Sequence, residues 1–252
     1  MTFTGKTVVV TGAGSGFGEG IAKRFAALGA QVVAVDVRAG QAERVAAEIR
    51  QEGGKAVAVG ADVTLDRDMA RVAARAAADF APPDILVNNA GITHTNQPML
   101  EVDEATFDRV FAVNVKSLYL GAKHFVPGMQ AQGGGVILNI ASTAGLRPRP
   151  GLTWYNGSKG AAITLTKSMA AELAPLRIRV NAVNPVMGET GMLQDLLPGG
   201  DSAAVRSRII ATIPLGRFSQ PRDIANAVTF LASDESDLIT GSCLEVDGGR
   251  CI

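Results

Sequence analysis

Short runs of apolar, often β-branched residues recur along this chain of 252 residues, and they alternate with amphipathic stretches rich in alanine. The runs lack the apolar–polar alternation of a half-exposed strand, so they predict strands buried on both faces of a parallel sheet. The predicted strands cover residues 7–11, 31–36, 55–60, 84–88, 135–141, 177–184 and 243–247.

The amphipathic stretches between these runs predict helices. Ile21, Phe25 and Leu28 are spaced for one helix face, and Gly29 follows as a stop signal. Further helices are predicted around residues 45–49 and 72–80, and over 104–130, 155–173 and 221–231. Alternating strands and helices form βαβ units with right-handed crossovers. The predicted fold class is therefore α/β: a single doubly wound domain over residues 1–252, with a seven-stranded parallel sheet and helices on both faces.

One segment departs from the alternation. Residues 185–214 contain several glycines and prolines, and they show only short helical patches. An irregular segment of this length in a compact domain is usually a lid, a binding loop or partly disordered. Because it directly follows a predicted strand, we interpret it as a substrate lid.

The charge balance narrows the choice of partners. Lys and Arg total 24, and so do Asp and Glu, which removes the basic face expected of a nucleic-acid binder. The balance also argues against dependence on an anionic membrane, and no apolar run reaches the roughly 18 residues that span a bilayer. The first residues run straight into a strand-like patch rather than a signal peptide. We expect a small-molecule substrate, with no nucleic-acid or membrane partner.

Cysteine and histidine are scarce. Cys243, Cys251, His94 and His124 are the only residues of these two types, and their spacing fits neither a zinc site nor a disulfide framework. No metal is predicted, and a reducing cytoplasm is the simplest location.

A glycine-rich turn follows the first strand and opens the first helix. The sequence TGAGSGFG spans residues 11–18. Glycines at such a turn let the backbone approach a pyrophosphate, whose charge then faces the helix N-terminus. Strand, turn and helix are all in place, so we predict nucleotide binding rather than a purely structural turn. The residues expected to contact the nucleotide are Gly12, Ser15, Gly16, Phe17 and Gly18.

Two acidic residues follow later strands. Asp36 ends the second strand, where a carboxylate accepts hydrogen bonds from adenosine ribose hydroxyls and repels a 2′-phosphate. NAD is therefore predicted, with NADP as the runner-up because Arg38 offers a phosphate partner. Asp62 and Val63 are placed to meet the adenine ring; the alternative for Asp62 is a cap for a helix beginning near Leu65.

Tyr155 and Lys159 are four residues apart and share a helix face. A free tyrosine has a pKa of about 10, and a nearby ammonium lowers this pKa toward the range useful for proton transfer. Taken alone, such a pair is most often an ordinary surface pair.

Taken together, these motifs resemble the short-chain dehydrogenase/reductase family, and the resemblance runs from Lys6 to Gly249. The motifs occur in the family's order: TGAGSGFG at 11–18, NNAG at 88–91, Asn114, Ser142, YxxxK at 155–159 and EVDGG at 245–249. The resemblance implies a Rossmann-type fold and a hydride passed directly between a nicotinamide and a substrate carbon.

The resemblance implies four catalytic roles. Tyr155 is the acid/base, Lys159 lowers the Tyr155 pKa and binds the nicotinamide ribose, and Ser142 stabilises the substrate oxygen. Asn114 perturbs its helix and holds a water that connects Lys159 to solvent. Taken alone, Ser142 would be read as a strand-end cap and Asn114 as a buried structural amide.

The resemblance also implies further cofactor contacts, at Asn88, Asn89, Ala90, Gly91, Pro185 and Thr190. The chain departs from the family at Val186, where glycine is common. Because valine does not readily adopt positive φ, the backbone here is expected to differ, with Gly188 supplying flexibility instead.

Substrate preference is expected in the loops at the carboxyl ends of the strands. The candidates are Ser142, His94, Arg147, Arg149, Trp154, Met187 and Met192. The two arginines suggest an anionic or polyhydroxylated substrate, and the alternative is a solvated loop whose arginines point outward.

We expect an oxidoreductase acting on the CH–OH or C=O group of a small polar alcohol, polyol or sugar. The alternatives are an NADPH-dependent 3-oxoacyl thioester reductase and an NAD-binding regulatory or scaffold protein without turnover. The resemblance further implies a homotetramer, with a dimer as the runner-up.

Overall fold

The structure is a computed structural model that describes residues 1–197 and 202–252. Within these residues seven parallel strands form one sheet in the order β3-β2-β1-β4-β5-β6-β7. The strands are β1 Thr7–Thr11, β2 Gln31–Asp36, β3 Lys55–Gly60, β4 Ile85–Asn88, β5 Gly135–Ile140, β6 Ile178–Pro185 and β7 Cys243–Val246. The predicted fold class is confirmed, and each strand lies within one residue of its predicted ends.

The strands form where predicted because they are buried on both faces. Val8, Val9 and Val10 of the central strand β1 are fully buried, although they point alternately to opposite faces. β1 pairs with both β2 and β4, so the direction of the strand order reverses between β1 and β4. In open α/β sheets such a switch point opens a crevice at the carboxyl ends of the strands, where ligands bind.

Helices cover both faces of the sheet. One core cluster joins the sheet to α1, α2 and α9, and a second joins it to α3, α5 and α6. The helices are α1 Gly16–Ala27, α2 Ala39–Gln51, α3 Asp66–Asp79, α4 Glu104–Phe111, α5 Ser117–Ala131, α6 Thr153–Leu173, α7 Leu193–Leu196, α8 Ala203–Ile210 and α9 Pro221–Ala232. None of the helices in the described part of the chain has the length and apolar character that crossing a membrane requires.

The helix predicted over residues 104–130 is present, and it contains a π-helical turn. α4 ends at Phe111, a π-helical turn covers Ala112–Lys116, and α5 continues from Ser117. Asn114 lies inside the wide turn, and its side chain bonds to the backbone of Ile92. A single π-turn inside an α-helix is often found at a functional site.

The segment over 185–214 is more ordered than its composition indicates. Its residues 198–201, which include Pro198, Gly199 and Gly200, lie outside the described residues. On either side, α7 and α8 enclose an apolar cluster formed by Val186, Met187, Leu193, Leu197, Ile209, Ile213 and Phe218.

The backbone around Val186 avoids the conformation that glycine would favour. Among the described non-glycine residues only Arg177 has positive φ, so Val186 is unstrained, and its N–H bonds to the Val246 carbonyl at 3.2 Å. Gly188 is required for space rather than flexibility, because a Cβ there would lie 2.2 Å from the Phe17 ring.

Candidate active site

A cavity of about 790 Å³ opens at the carboxyl ends of the strands, on both sides of the switch point. One end is formed by the glycine-rich turn and the other by residues 140–155 and 185–196. The predicted cofactor contact Asn88 does not line this cavity, because its buried Nδ2 donates to Asn139 Oδ1 at 2.9 Å. The structure brings the other predicted cofactor contacts to the wall: Gly12, Ser15, Gly16, Phe17, Gly18, Asp36, Asp62, Val63, Asn89, Ala90, Gly91, Tyr155, Lys159, Pro185 and Thr190.

The glycine-rich turn leaves a cradle that side chains would fill. A Cβ at Gly18 would lie 2.0 Å from the Gly12 carbonyl oxygen, and Gly12 itself has a φ of +63°. Asn89 holds the turn against β4, since its Nδ2 donates to the Thr11 carbonyl at 2.8 Å. The turn meets the N-terminus of α1, where free N–H groups and the helix dipole favour a phosphate. The cradle therefore fits a dinucleotide pyrophosphate.

Asp36 is buried at the adenosine end of the cavity, at the end of β2. Its carboxylate accepts hydrogen bonds from the Gly14 N–H at 3.0 Å and from the Arg38 N–H at 2.9 Å. The Arg38 guanidinium is largely exposed, with its Nε 3.6 Å from the carboxylate, and it donates to Ser15 Oγ at 3.2 Å. Both the predicted ribose partner and the competing phosphate partner line the cavity.

Asp62 is not the cap of the following helix. α3 begins at Asp66, and the residue before it, Leu65, supplies no side-chain cap. Asp62 instead closes a local turn, because its Oδ1 accepts from the Thr64 N–H at 2.9 Å and the Thr64 hydroxyl at 2.7 Å. The turn places Asp62 on the cavity wall, beside Val63.

Tyr155 lies in the first turn of α6, and 5% of its surface is exposed. Burial raises the pKa of Tyr155, whereas a hydrogen bond with Ser142 and the charge of Arg149 act in the opposite direction. The charge of Arg149 thus acts on the phenol, and the effect of Lys159 on this pKa stays a prediction. Ser142 follows β5, and its Oγ also accepts from the Ala144 N–H at 3.1 Å.

Lys159 lies one turn further along α6 and is buried. Its Nζ is 5.9 Å from the centre of the Tyr155 ring and donates to the Ile140 carbonyl at 2.9 Å. Because the ammonium is buried without an acidic partner among the described residues, its pKa falls to about 8. Gly91 allows this approach, since a Cβ there would lie 3.2 Å from Nζ.

Asn114 ties the π-helical turn to α6. Its Nδ2 donates to the Ile92 carbonyl at 2.8 Å and to Ser158 Oγ at 2.9 Å, while its Oδ1 accepts from the Ile92 N–H at 2.9 Å. Ser158 in turn donates to the Tyr155 carbonyl at 2.7 Å. The amide is therefore a fixed part of the wall behind Tyr155, although it does not itself line the cavity.

The structure separates the predicted substrate residues into two groups. Arg149, Met187, Met192 and Ser142 line the cavity, whereas His94, Arg147 and Trp154 do not. Trp154 Nε1 donates to the Met99 carbonyl at 3.1 Å, and its ring packs edge-on against Phe107.

His94 and Arg147 point away from the cavity for different reasons. The Nδ1 of the buried His94 lies 2.9 Å from the carbonyl oxygen of Thr95. Arg147 is exposed and donates to the Arg250 carbonyl, which ties its loop to the end of the chain.

The sequence analysis missed several residues of the cavity wall. Thr143 and Leu152 lie next to the serine and tyrosine motifs, and that proximity was an available signal. Arg109 and Leu196 carried no local signal, because the π-helical turn and the folding of the lid segment bring them to the wall. The missed residues include Val37, Ile92, Arg109, Thr143, Ala144, Leu152 and Leu196.

Comparison with known proteins gives matches over the whole chain. A family model described as enoyl-(acyl carrier protein) reductase matches residues 12–250. A 4-formylbenzenesulfonate dehydrogenase of Comamonas testosteroni is 48% identical over 252 residues, covering 100% of both chains. A 2-(S)-hydroxypropyl-CoM dehydrogenase of Xanthobacter autotrophicus is 40% identical over 245 residues, covering 97% of this chain and 96% of that protein.

Solved structures give the same result. The crystal structure of a 3-ketoacyl-(acyl-carrier-protein) reductase from Brucella melitensis, complexed with NADH, is similar with a TM-score of 0.93. It is 46% identical in sequence, and the match covers 100% of both chains. The similarity thus includes every strand and helix that surrounds the cavity.

Proposed function

Because this chain belongs to the short-chain dehydrogenase/reductase family and is an oxidoreductase of CH–OH groups that uses a nicotinamide cofactor, we propose that Tyr155 is its acid/base, NAD its cofactor and a small polar alcohol its substrate. One observation carries the proposal: Tyr155, Ser142 and the glycine cradle line a single cavity. From this one enclosed space a proton donor would reach the substrate oxygen, and a nicotinamide would reach the carbon atom bonded to it.

The residues around Tyr155 would carry out the proton chemistry. When bound, the nicotinamide supplies or accepts the hydride. In alcohol oxidation, the Tyr155 oxygen takes the hydroxyl proton, and Ser142 donates a hydrogen bond to the substrate oxygen as its charge changes. In carbonyl reduction the same phenol returns the proton.

Lys159 and Asn114 support this step from behind the phenol. Lys159 has three donors, of which one is used by the Ile140 carbonyl, and the others are available for the ribose hydroxyls of the cofactor. Asn114 and Ser158 fix the turn of α6 that carries Tyr155. Asn114 thereby keeps the phenol at the cavity wall, and a water held there would connect Lys159 to solvent.

NAD is proposed over NADP because of the position of Asp36. Its carboxylate is buried and rigidly held by two backbone N–H groups, so it cannot turn away from a 2′-phosphate. Arg38 is exposed and paired with that carboxylate, which weakens it as a phosphate ligand. The relative solved with NADH is consistent with this choice.

The lid and the assembly complete the proposal. Met187, Met192 and Leu196 bring the segment over 185–214 to the cavity wall, so we propose that it closes over the substrate. We also propose a homotetramer, which light scattering on a size-exclusion column would detect as four times the chain mass.

Tyr155→Phe tests the proposed chemistry. With NAD and a panel of polyols, sugar acids and cyclic alcohols, the variant should lose about 100-fold or more in kcat, as expected for a positioned acid/base. Tyr119→Phe is the matched control, because Tyr119 is 60% exposed and lies on α5 outside the cavity wall. Equal turnover by Tyr155→Phe and wild type would refute the mechanism.

The same panel separates the alternatives. Turnover confined to 3-oxoacyl thioesters with NADPH would replace the proposed substrate and cofactor. Tight NAD binding without turnover on any substrate would indicate a regulatory or scaffold protein. Neither outcome is expected, because Asp36 opposes NADPH, and Ser142, Tyr155 and Lys159 line one cavity with Asn114 bonded behind Tyr155 through Ser158.

A further inference from the structure

The substrate end of the cavity has apolar walls. The side chains that line it around Tyr155 include Ala144, Leu152, Met187, Met192 and Leu196. These apolar side chains offer no hydrogen-bond partners, and a hydroxyl buried against them loses the hydrogen bonds it made to water. A sugar or polyol with a hydroxyl on every carbon is therefore a poor match. An apolar substrate body fits these walls better.

Arg149 places a positive charge on the same wall. Its guanidinium is half-buried, and within the described residues no carboxylate forms an ion pair with it and no hydrogen-bond acceptor binds it. Its backbone is held instead, because the Arg149 carbonyl accepts from Asn156 Nδ2 at 2.8 Å. Burial and the like charge of Arg250 lower the pKa of the guanidinium. Arg149 is thus a positioned cation, and none of the described residues supplies its counter-charge.

Arg250 brings a second guanidinium close to Arg149. Its Nε and Nη1 are buried and have no hydrogen-bond partner among residues 1–197 and 202–252. The tail that carries it is fixed, because the Asp247 carboxylate accepts from the N–H groups of Gly249 at 2.8 Å and Cys251 at 2.7 Å. The charge of Arg250 acts on Arg149, and neither guanidinium has a counter-charge among the described residues. An anion bound by Arg149 from the cavity would reduce this unfavourable interaction.

From this arrangement we propose that the substrate joins an apolar body to a carboxylate or sulfonate group, and that Arg149 binds this anion while Arg250 reinforces the positive potential. The inference rests on the proposed function, since it assigns the part of the substrate remote from the reacting carbon. A guanidinium presents paired donors that match a planar carboxylate or a sulfonate, which explains an arginine at this position.

The test uses substrates that differ in charge alone. Wild type, Arg149→Met and Arg149→Lys are assayed with NAD on 4-(hydroxymethyl)benzoate and its neutral amide, 4-(hydroxymethyl)benzamide. The readout is the ratio of kcat/KM for the anion to that for the amide, because the Arg149 charge also acts on Tyr155 and so alters both rates. Arg24→Gln is the charge-matched control, since Arg24 is exposed on α1 and outside the cavity wall.

Wild type should prefer the anion, and Arg149→Met should reduce the ratio by about 10- to 100-fold, as expected for loss of a charged hydrogen bond. Arg149→Lys should keep part of the preference, and Arg24→Gln should keep all of it. Calorimetry with 4-methylbenzoate and 4-methylbenzamide, which are not turned over, gives the same comparison as a ratio of Kd values. NADH binding by each variant verifies that the cavity is folded.

Failure of this inference and failure of the proposed function are distinguishable. Equal preference for anion and amide in wild type, or an unchanged ratio in Arg149→Met, overturns the anion site even if both alcohols are oxidised. No binding of the methyl compounds to wild type overturns it as well. Arg149-dependent binding of the anion with no oxidation of either alcohol supports the anion site and contradicts the proposed oxidation.

Discussion

Asp36→Asn is the sharpest test of how the cavity selects its cofactor. The substitution removes one negative charge and changes the side-chain volume little. In the wild type the carboxylate accepts from the backbone N–H groups of Gly14 and Arg38. The asparagine oxygen replaces only one of these acceptors, so one N–H loses its partner, and the free energy of unfolding should fall by about 1 kcal/mol.

The effect on cofactor choice should be larger. Two unit charges about 4 Å apart repel by about 4 kcal/mol at an effective dielectric constant of about 20. Arg38, with its Nε 3.6 Å from the carboxylate, and the solvent screen part of this repulsion. About 2 kcal/mol remains, which corresponds to roughly 30-fold in affinity for a 2′-phosphate. Without the Asp36 charge beside it, Arg38 should further increase the affinity for the 2′-phosphate. NAD, in contrast, loses a charged acceptor for its ribose hydroxyls.

The assay is fluorescence titration of NADH and NADPH, which needs no substrate and so does not depend on the proposed reaction. The wild type should bind NADH more tightly. In Asp36→Asn the ratio of the two Kd values should move toward NADPH by about 30-fold or more. Adding Arg38→Gln to Asp36→Asn should cancel part of the gain in NADPH affinity. That result would show that the Arg38 guanidinium binds the 2′-phosphate in the single variant.

The reasoning would be refuted by an unchanged Kd ratio in a folded Asp36→Asn protein. Tighter binding of NADPH than NADH by the wild type would also contradict it, because the buried carboxylate would then be no barrier. Circular dichroism of each variant separates a change in selectivity from a loss of fold.

Three further predictions follow from the same cavity. Gly18→Ala should lower the free energy of unfolding by about 2 kcal/mol or more and weaken NADH binding, because its Cβ would lie 2.0 Å from the Gly12 oxygen; an unchanged urea midpoint contradicts this. The pKa of Lys159 is lowered to about 8, so its contribution to the free energy of unfolding should rise between pH 8 and 10.5, where only the unfolded chain binds the proton. The difference between wild type and Lys159→Met, measured by urea unfolding across that range, should show the rise, and a flat difference would exclude it. Ser142→Ala should move the pH midpoint of alcohol oxidation upward, since the hydrogen bond that lowers the Tyr155 pKa is lost; a downward shift in the pH profile would contradict this.

Local sequence patterns were sufficient to predict the sheet and the order of its motifs. Strands buried on both faces appear as continuous apolar runs, which is why β1 and β2 lie at their predicted ends. The glycine-rich turn could also be predicted from the sequence. The requirement for residues without side chains arises between neighbouring positions, so it is visible in a short motif. The spacing of Tyr155 and Lys159 predicted a shared helix face, and both residues line one cavity.

Which side chains face that cavity depends on how distant parts of the chain pack together. Arg147 and Arg149 are equivalent in sequence, yet the chain end holds Arg147 outside while Arg149 lines the wall. The π-helical turn inside the predicted long helix accompanies bonds between Asn114 and Ile92, which lie 22 residues apart. Such contacts cannot be read from local periodicity, because each depends on where a distant segment of the chain has packed.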